Sequence, residues 1–193
     1  MPNCTCPPSD AIPSISLQDC PEKYGNINRF VIGRVSGGAF TAITDETEFD
    51  TRLAAVDATK IVLTPLLSET DFPFSALISE GGDDNTTPFG EPIRVGEGSI
   101  TVTSLAKNVE SSIKDELKEL ECYTDLAIGI IESNGGIGAI GATALIPIAN
   151  LFVSTKSFGG ISASDSVQIS FTLRPNWDEG LQLNSLTWDI YSK

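Results

Sequence analysis

The sequence predicts a mainly β fold, a β-sandwich or barrel with one flanking α-helix and a short second helix, carrying an extended N-terminal arm and a long loop. Three observations predict it. Late in the chain, Val167, Ile169, Phe171 and Leu173 alternate with Gln168, Ser170 and Thr172, which is how an antiparallel strand with one packed face reads. Short β-branched and aromatic runs recur between clusters of Gly, Pro, Asn and Asp, the spacing of strands and turns. Only one long segment, residues 105–121, keeps an apolar stripe at helical spacing.

Taken in order, residues 1–28 read as the arm and residues 29–193 as a single β-rich assembly domain. Pro2, Pro7, Pro8, Pro13 and Pro21 suppress helix and favour extended backbone. Such an arm has no core of its own and is expected to dock on its own domain or on a neighbouring subunit. Residues 29–35 and 39–44 read as two strands of a hairpin around Ser36-Gly37-Gly38. Residues 45–57 read as the short helix: Asp45 and Glu48 have capping-box spacing, and Phe49, Leu53 and Val56 share a face. Residues 60–64 form a strand stopped by Pro65, and residues 75–79 another. Residues 80–98 hold Gly81, Gly82, Pro88, Gly90, Pro92, Gly96 and Gly98 and read as a long loop, a feature that compact domains usually reserve for function.

Residues 99–103 are a strand with Ile100 and Val102 inward. In residues 105–121, Leu105, Val109, Ile113, Leu117 and Leu120 form the apolar stripe, opposite Glu110, Lys114, Asp115, Lys118 and Glu119, so the helix should lie on one sheet. Residues 125–132 are apolar enough for a central strand. A turn follows at Ser133-Asn134-Gly135-Gly136, then a Gly- and Ala-rich stretch over 137–151, broken by Pro147. Residues 152–158, 166–173 and 181–191 complete the strands, the last with Leu186, Trp188 and Ile190 on one face.

The 193 residues, 40% of them hydrophobic, can bury a full core without a metal or disulfide. Acids outnumber Lys plus Arg by 26 to 12, a net charge of −14, and the basic residues are scattered singly from Lys23 to Lys193. That surface repels phosphate backbones; it serves solubility, or it must not adhere to nucleic acid passing nearby. The start lacks a basic stretch followed by an apolar one, and no apolar run is long enough for a membrane helix, so folding in a cytoplasm is expected.

The chain has no histidine, which excludes Ser-His-Asp and Cys-His nucleophiles and H-E-x-x-H metal sites. Cys4, Cys6, Cys20 and Cys122 do not form the paired spacing of a zinc ribbon, and they fit reduced thiols, with Cys122 expected as buried packing after the helix. Gly136-Ile137-Gly138-Ala139-Ile140-Gly141 matches G-x-G-x-x-G, but Pro147 follows too early for the dinucleotide helix and no acid ends a second strand. The segment is expected instead to let two backbones, of one subunit or two, approach closely. Asp83-Asp84-Asn85 and Asp45-Glu46-Thr47-Glu48 lack the calcium-loop pattern and read as solvated acids. Two tryptophans and three tyrosines are few for an aromatic sugar cleft. The expectation is a protein with no catalytic residue, no cofactor and no metal.

In organisation the chain resembles the major tail tube proteins of tailed bacteriophages and related contractile machines. The resemblance rests on the arm, the loop over 80–98, the strand–helix passage over 99–121 and the closing segment Asp165-Ser166-Val167-Gln168-Ile169-Ser170-Phe171-Thr172-Leu173. The Cys- and Pro-rich start departs from that pattern. The resemblance implies a virion location, after assembly in the host cytoplasm, and a homo-oligomer of stacked rings, commonly hexamers. Strands of neighbouring subunits would join into an inner β-barrel, which removes exposed edges. Gln168, Ser170 and Thr172 would line an acidic channel, with Val167, Ile169 and Phe171 packed behind. Pro7, Pro8 and Pro13 of the arm and Asp83, Asp84 and Phe89 of the loop would carry contacts between subunits. Other virion tail or capsid proteins would be partners; DNA would pass without specific binding, and no membrane is implied. A capsid decoration protein, a tail terminator or a monomeric β-sandwich binding module would share β content and acidity. A carboxylate enzyme would instead require a deep cleft lined by perturbed acids.

Overall fold

The computed structural model describes residues 25–82, 92–158 and 164–193. The chain is mainly β, with eleven strands and two short helices among the described residues. In order they are β1 (Ile27–Arg34), α1 (Glu46–Ala54), β2 (Val62–Leu63), β3 (Leu67–Asp71), β4 (Leu77–Glu80), β5 (Ile93–Glu97), β6 (Ile100–Lys107), α2 (Ser111–Glu119), β7 (Leu126–Glu132), β8 (Gly136–Ile140), β9 (Ile146–Val153), β10 (Ser166–Leu173) and β11 (Leu181–Ser185). All pairings of described strands are antiparallel.

Nine strands form one continuous sheet that turns over on itself at β9. One half runs β2-β1-β7-β8-β11, the other β9-β10-β6-β3. The start of β9 pairs with β7 (Ala127 with Pro147, Ile128 with Ile146), and its later residues pair with β10 as far as Val153 with Ile169. The two halves face each other across the larger core, where Phe30 of β1 meets Phe171 of β10 edge to face at 5.1 Å.

A second core covers the other side of the first half-sheet. Val31, Ile131, Ile137 and Ala139 point into it, under Phe40, Ile43, Phe49 of α1, Ile61 and Ile190. Every residue of β7 is therefore buried, the apolar run Leu126–Ile131 and also Glu132 at its end. Helix α1 begins where Asp45 accepts a hydrogen bond from Thr47 N at 2.9 Å, which satisfies one of the amides that a helix start leaves open. Arg52 at its far end lies over the Phe40 ring at 4.0 Å and donates to the carbonyls of Gly38 and Ala39 at 3.1 and 2.6 Å. Glu48 accepts from Thr41 N at 2.9 Å and binds Arg52 at 3.0 Å, so one ion pair staples residues 37–42 to the helix.

Several expectations are corrected. The strand begins at Ile27 rather than residue 29, and residues 39–44 are no hairpin partner for it. Both edges of β1 are taken, by β2 and β7. Residues 39–44 cross as a covering segment tied by Phe40 N to Thr143 O and Ile43 N to Ala142 O, at 2.7 and 2.8 Å. The strand at 60–64 shrinks to β2, and an unanticipated β3 follows Pro65. The helix expected over 105–121 starts only at Ser111 and passes into a 3-10 turn, Leu120–Cys122. Leu105 belongs to β6, whose period-two burial of Ile100, Val102, Ser104 and Ala106 continues past residue 103. Asn108, with φ 55°, ends that strand. Cys122 is exposed rather than packed.

The strand expected over 152–158 ends at Val153, with only Ser157 bridging to Ser166. The last strand ends at Ser185; Leu186, Trp188 and Ile190 peel away to cover α1 and the first half-sheet. The G-x-G-x-x-G segment lies on β8 between β7 and β11. Gly136 pairs with Ser185, and a Cβ there would come within 2.8 Å of Leu183 Cδ1. Its close approach is within one chain.

Candidate functional site

Gln168, Ser170 and Thr172 stand on the outer face of the second half-sheet, with Val167, Ile169, Phe171 and Leu173 buried behind them. Register extends each into a row. Ser170 lies between Thr103 and Phe152, with Asp71 beyond Thr103. Thr172 lies between Thr101 and Asn150, and Gln168 beside Leu105, which faces Glu69. The hydroxyls of Thr101 and Thr172 are 3.4 Å apart, and Thr172 N donates to Asn150 Oδ1 at 3.0 Å. Gln168 and Thr172 are half-buried, while Ser170 is only 9% exposed, recessed between its neighbours. The face is polar and acidic at its β3 edge, with Phe152 standing 54% exposed. Pro7, Pro8, Pro13, Asp83, Asp84 and Phe89 lie outside the described residues.

The loop expected over 80–98 is in part a hairpin of β4 and β5, paired from Leu77 with Glu97 to Glu80 with Ile93 across a register shift between Ile78 and Ser79. Gly98 N closes its base on Ala76 O at 2.8 Å. Among the described residues neither strand packs extensively on any other element. Leu77, Ile78, Ile93 and Val95 are 65, 48, 52 and 48% exposed, and Phe74 beside them is wholly exposed. These five side chains were missed as site residues. The alternating Ile93-Arg94-Val95 was the available signal, but it reads equally as an ordinary half-buried strand.

Two cavities, about 270 and 380 Å³, open where β1 ends, one on each face of the strand, and both touch Gly33 and Arg34. Leu145, Pro147 and Phe40 line the first, and Lys60, Val56 and Tyr123 the second. Arg34 binds Asp125 at 3.0 and 3.2 Å and lies over the Tyr123 ring at 5.1 Å. The hydrogen bond from Arg34, then that from Ser36 at 2.5 Å, holds the Asp125 carboxyl down at about 2, because both favour its charged form. Asp125 raises Arg34 in turn. The arrangement is an ion pair at a cavity wall whose carboxylate also accepts from the Ser36 hydroxyl.

Among the described residues no group of three His, Cys, Asp or Glu side chains could hold a metal ion, and no helix is long and apolar enough to cross a membrane. Set against models of known protein families the chain matches none, and it matches no curated protein.

Proposed function

We propose that the chain is a non-catalytic structural subunit that assembles with copies of itself into stacked rings, forming a bacteriophage tail tube with an acidic channel through which DNA passes. The observation that carries this reading is the β4–β5 hairpin, which leaves the fold with apolar side chains bare on both strands. A two-stranded hairpin is marginal in water without further packing, and contiguous exposed apolar surface marks a protein interface. Elsewhere among the described residues most large apolar side chains are buried in two cores, and the exposed ones, such as Val56, Leu66 and Phe152, are spread over several elements.

The outer face of the second half-sheet suits the channel. Its hydroxyl and amide side chains present neutral hydrogen-bonding groups, Glu69 and Asp71 add negative charge, and the chain as a whole carries −14. Lys107, opposite Ser166 on the same face, offsets part of that charge, so the wall offers a phosphate backbone little net attraction. Rings, commonly hexameric in the proteins it resembles, would dock on other tail or capsid proteins of the virion, and no cofactor has a part. Light scattering and negative-stain microscopy of the purified chain test the reading. Rings or tubes with a central channel are expected; a stable monomer at high concentration would overturn it and put a monomeric binding module in its place.

A further inference from the structure

After β11 the chain leaves the sheet. Residues 186–193 lie across α1 and the first half-sheet, with Ile190 wholly buried and Leu186, Trp188 and Tyr191 half-buried against the second core. Trp188 packs on Phe49 of α1 with ring centroids 5.1 Å apart. Among the described residues no backbone hydrogen bond joins this stretch to any other element; its backbone bonds only to itself, Ser192 N to Asp189 O at 3.3 Å. The polar ties to the rest of the fold all run through side chains. Trp188 Nε1 donates to Thr44 O at 2.8 Å, and the Tyr191 hydroxyl donates to Glu132 O at 2.5 Å.

An ionic latch closes over these contacts. The Lys193 ammonium lies 5.5 Å from the centre of the Trp188 ring and donates to Glu46 and Asp50 of α1 at 2.7 and 2.8 Å. Glu48, between those two in the helix, is held by Arg52. Lys193 is therefore the one cation that pairs with Glu46 and Asp50 among the described residues. The ammonium is largely covered, whereas both carboxylates are about half exposed, so dissolved salt reaches the pair and weakens it.

We propose that residues 186–193 are a strap that opens as one unit while the sheet stays folded, with Lys193 as its latch. Proteins open in cooperative units of unequal stability. A strand of this sheet cannot leave without breaking a ladder of backbone bonds to its neighbours, whereas the strap has no ladder bond to lose. Burial of Ile190 and Trp188, together with the latch, holds it closed. Opening bares the Phe49 ring and the apolar surface beneath Ile190, so the latch governs whether that surface is covered or faces water. The inference goes beyond the assembly reading and does not depend on it.

The two tryptophans separate the outcomes, because Trp177 packs on Phe72 beside the larger core while Trp188 sits on the strap. Trp177→Phe leaves Trp188 as the sole tryptophan of the chain. Urea unfolding of that protein is followed in one sample by Trp188 emission and by far-UV circular dichroism. Emission should shift to the red first, with a midpoint at least about 1 M below that of the sheet. Lys193→Met in the same background should lower the emission midpoint further and leave the dichroism midpoint in place. Coincident transitions, or a Lys193→Met change that moves both midpoints together, would overturn the proposal and make residues 186–193 an ordinary part of the core. Should Trp177→Phe disturb the fold, the parent chain carries the same test. Emission that changes in two steps across a single dichroism transition supports the strap, and a single shared step removes it.

Discussion

Glu132, at the end of β7, is fully buried, and among the described residues neither of its carboxylate oxygens has a hydrogen-bond partner, although its backbone carbonyl accepts from the Tyr191 hydroxyl at 2.5 Å. A buried polar atom without a partner costs about 1–3 kcal/mol. Glu132→Met keeps the volume and removes both acceptors, so thermal unfolding should shift upward by several degrees; a lower midpoint would contradict this accounting. Asp125 gives a residue-scale prediction of pH dependence. Its folded value of about 2 lies below the ordinary 3.8, so its contribution is fully present above the higher value and disappears as pH falls through the lower one. The stability difference between the parent and Asp125→Asn, followed by urea unfolding, should be constant from neutral pH down to 3.8 and vanish near 2.

At the scale of elements, one buried hydroxyl joins β1 to the β2–β3 turn. Thr64, 1% exposed, accepts from Phe30 N at 2.8 Å. Thr64→Val leaves that amide buried and unpaired, and should cost about 1–3 kcal/mol in chemical denaturation; Thr64→Ser, which retains the acceptor, should lose much less. Elements with one dominant local signal were legible in the sequence. The strict alternation of β10, the continuous apolar run of β7 and the Asp45 cap of α1 each have a single reading, and each stands in the structure; the capping box does not form, since Glu48 accepts from Thr41 N and Ala42 N, and α1 ends at Ala54 with Val56 exposed. Leu105 did not have a single reading, since it fits a helical stripe with Val109 and a strand across from Gln168 and Glu69, and sheet pairing decided it. Phe40 and Ile43 carry strand composition because a covering segment buries apolar side chains as a strand does. The polar face bearing Gln168, Ser170 and Thr172 followed from alternation alone, whereas the recess around Ser170 depends on Phe152 from a strand paired only in three dimensions.

At the scale of the whole molecule, polarity is divided unevenly. Two cores close over β1, β7 and β10, while among the described residues apolar side chains stay exposed on the β4–β5 hairpin and singly elsewhere. On the assembly reading, association through the hairpin would bury apolar area between copies of an acidic chain, so salt should favour it by screening their mutual repulsion. Sedimentation at 50 mM and at 500 mM salt, concentrations chosen to bracket strong and weak screening, should show larger species in the second. Dissociation on adding salt would mean that charge attraction, not apolar burial, holds the copies together.

The pairing of β1 with β7 has a consequence in time. Phe30 aligns with Ile130, a separation of 100 residues along the chain, and nothing nearer in sequence than β2 can satisfy β1 beforehand. Closing so long a loop precedes any reward from the contact, and sheets built this way fold in milliseconds to seconds rather than microseconds. During that interval Phe30, Val31 and Ile32 face water together, and a crowded solution offers them other chains. Refolding yield should therefore fall steeply with protein concentration, and slow dilution should recover soluble material that rapid concentrated refolding loses to aggregates.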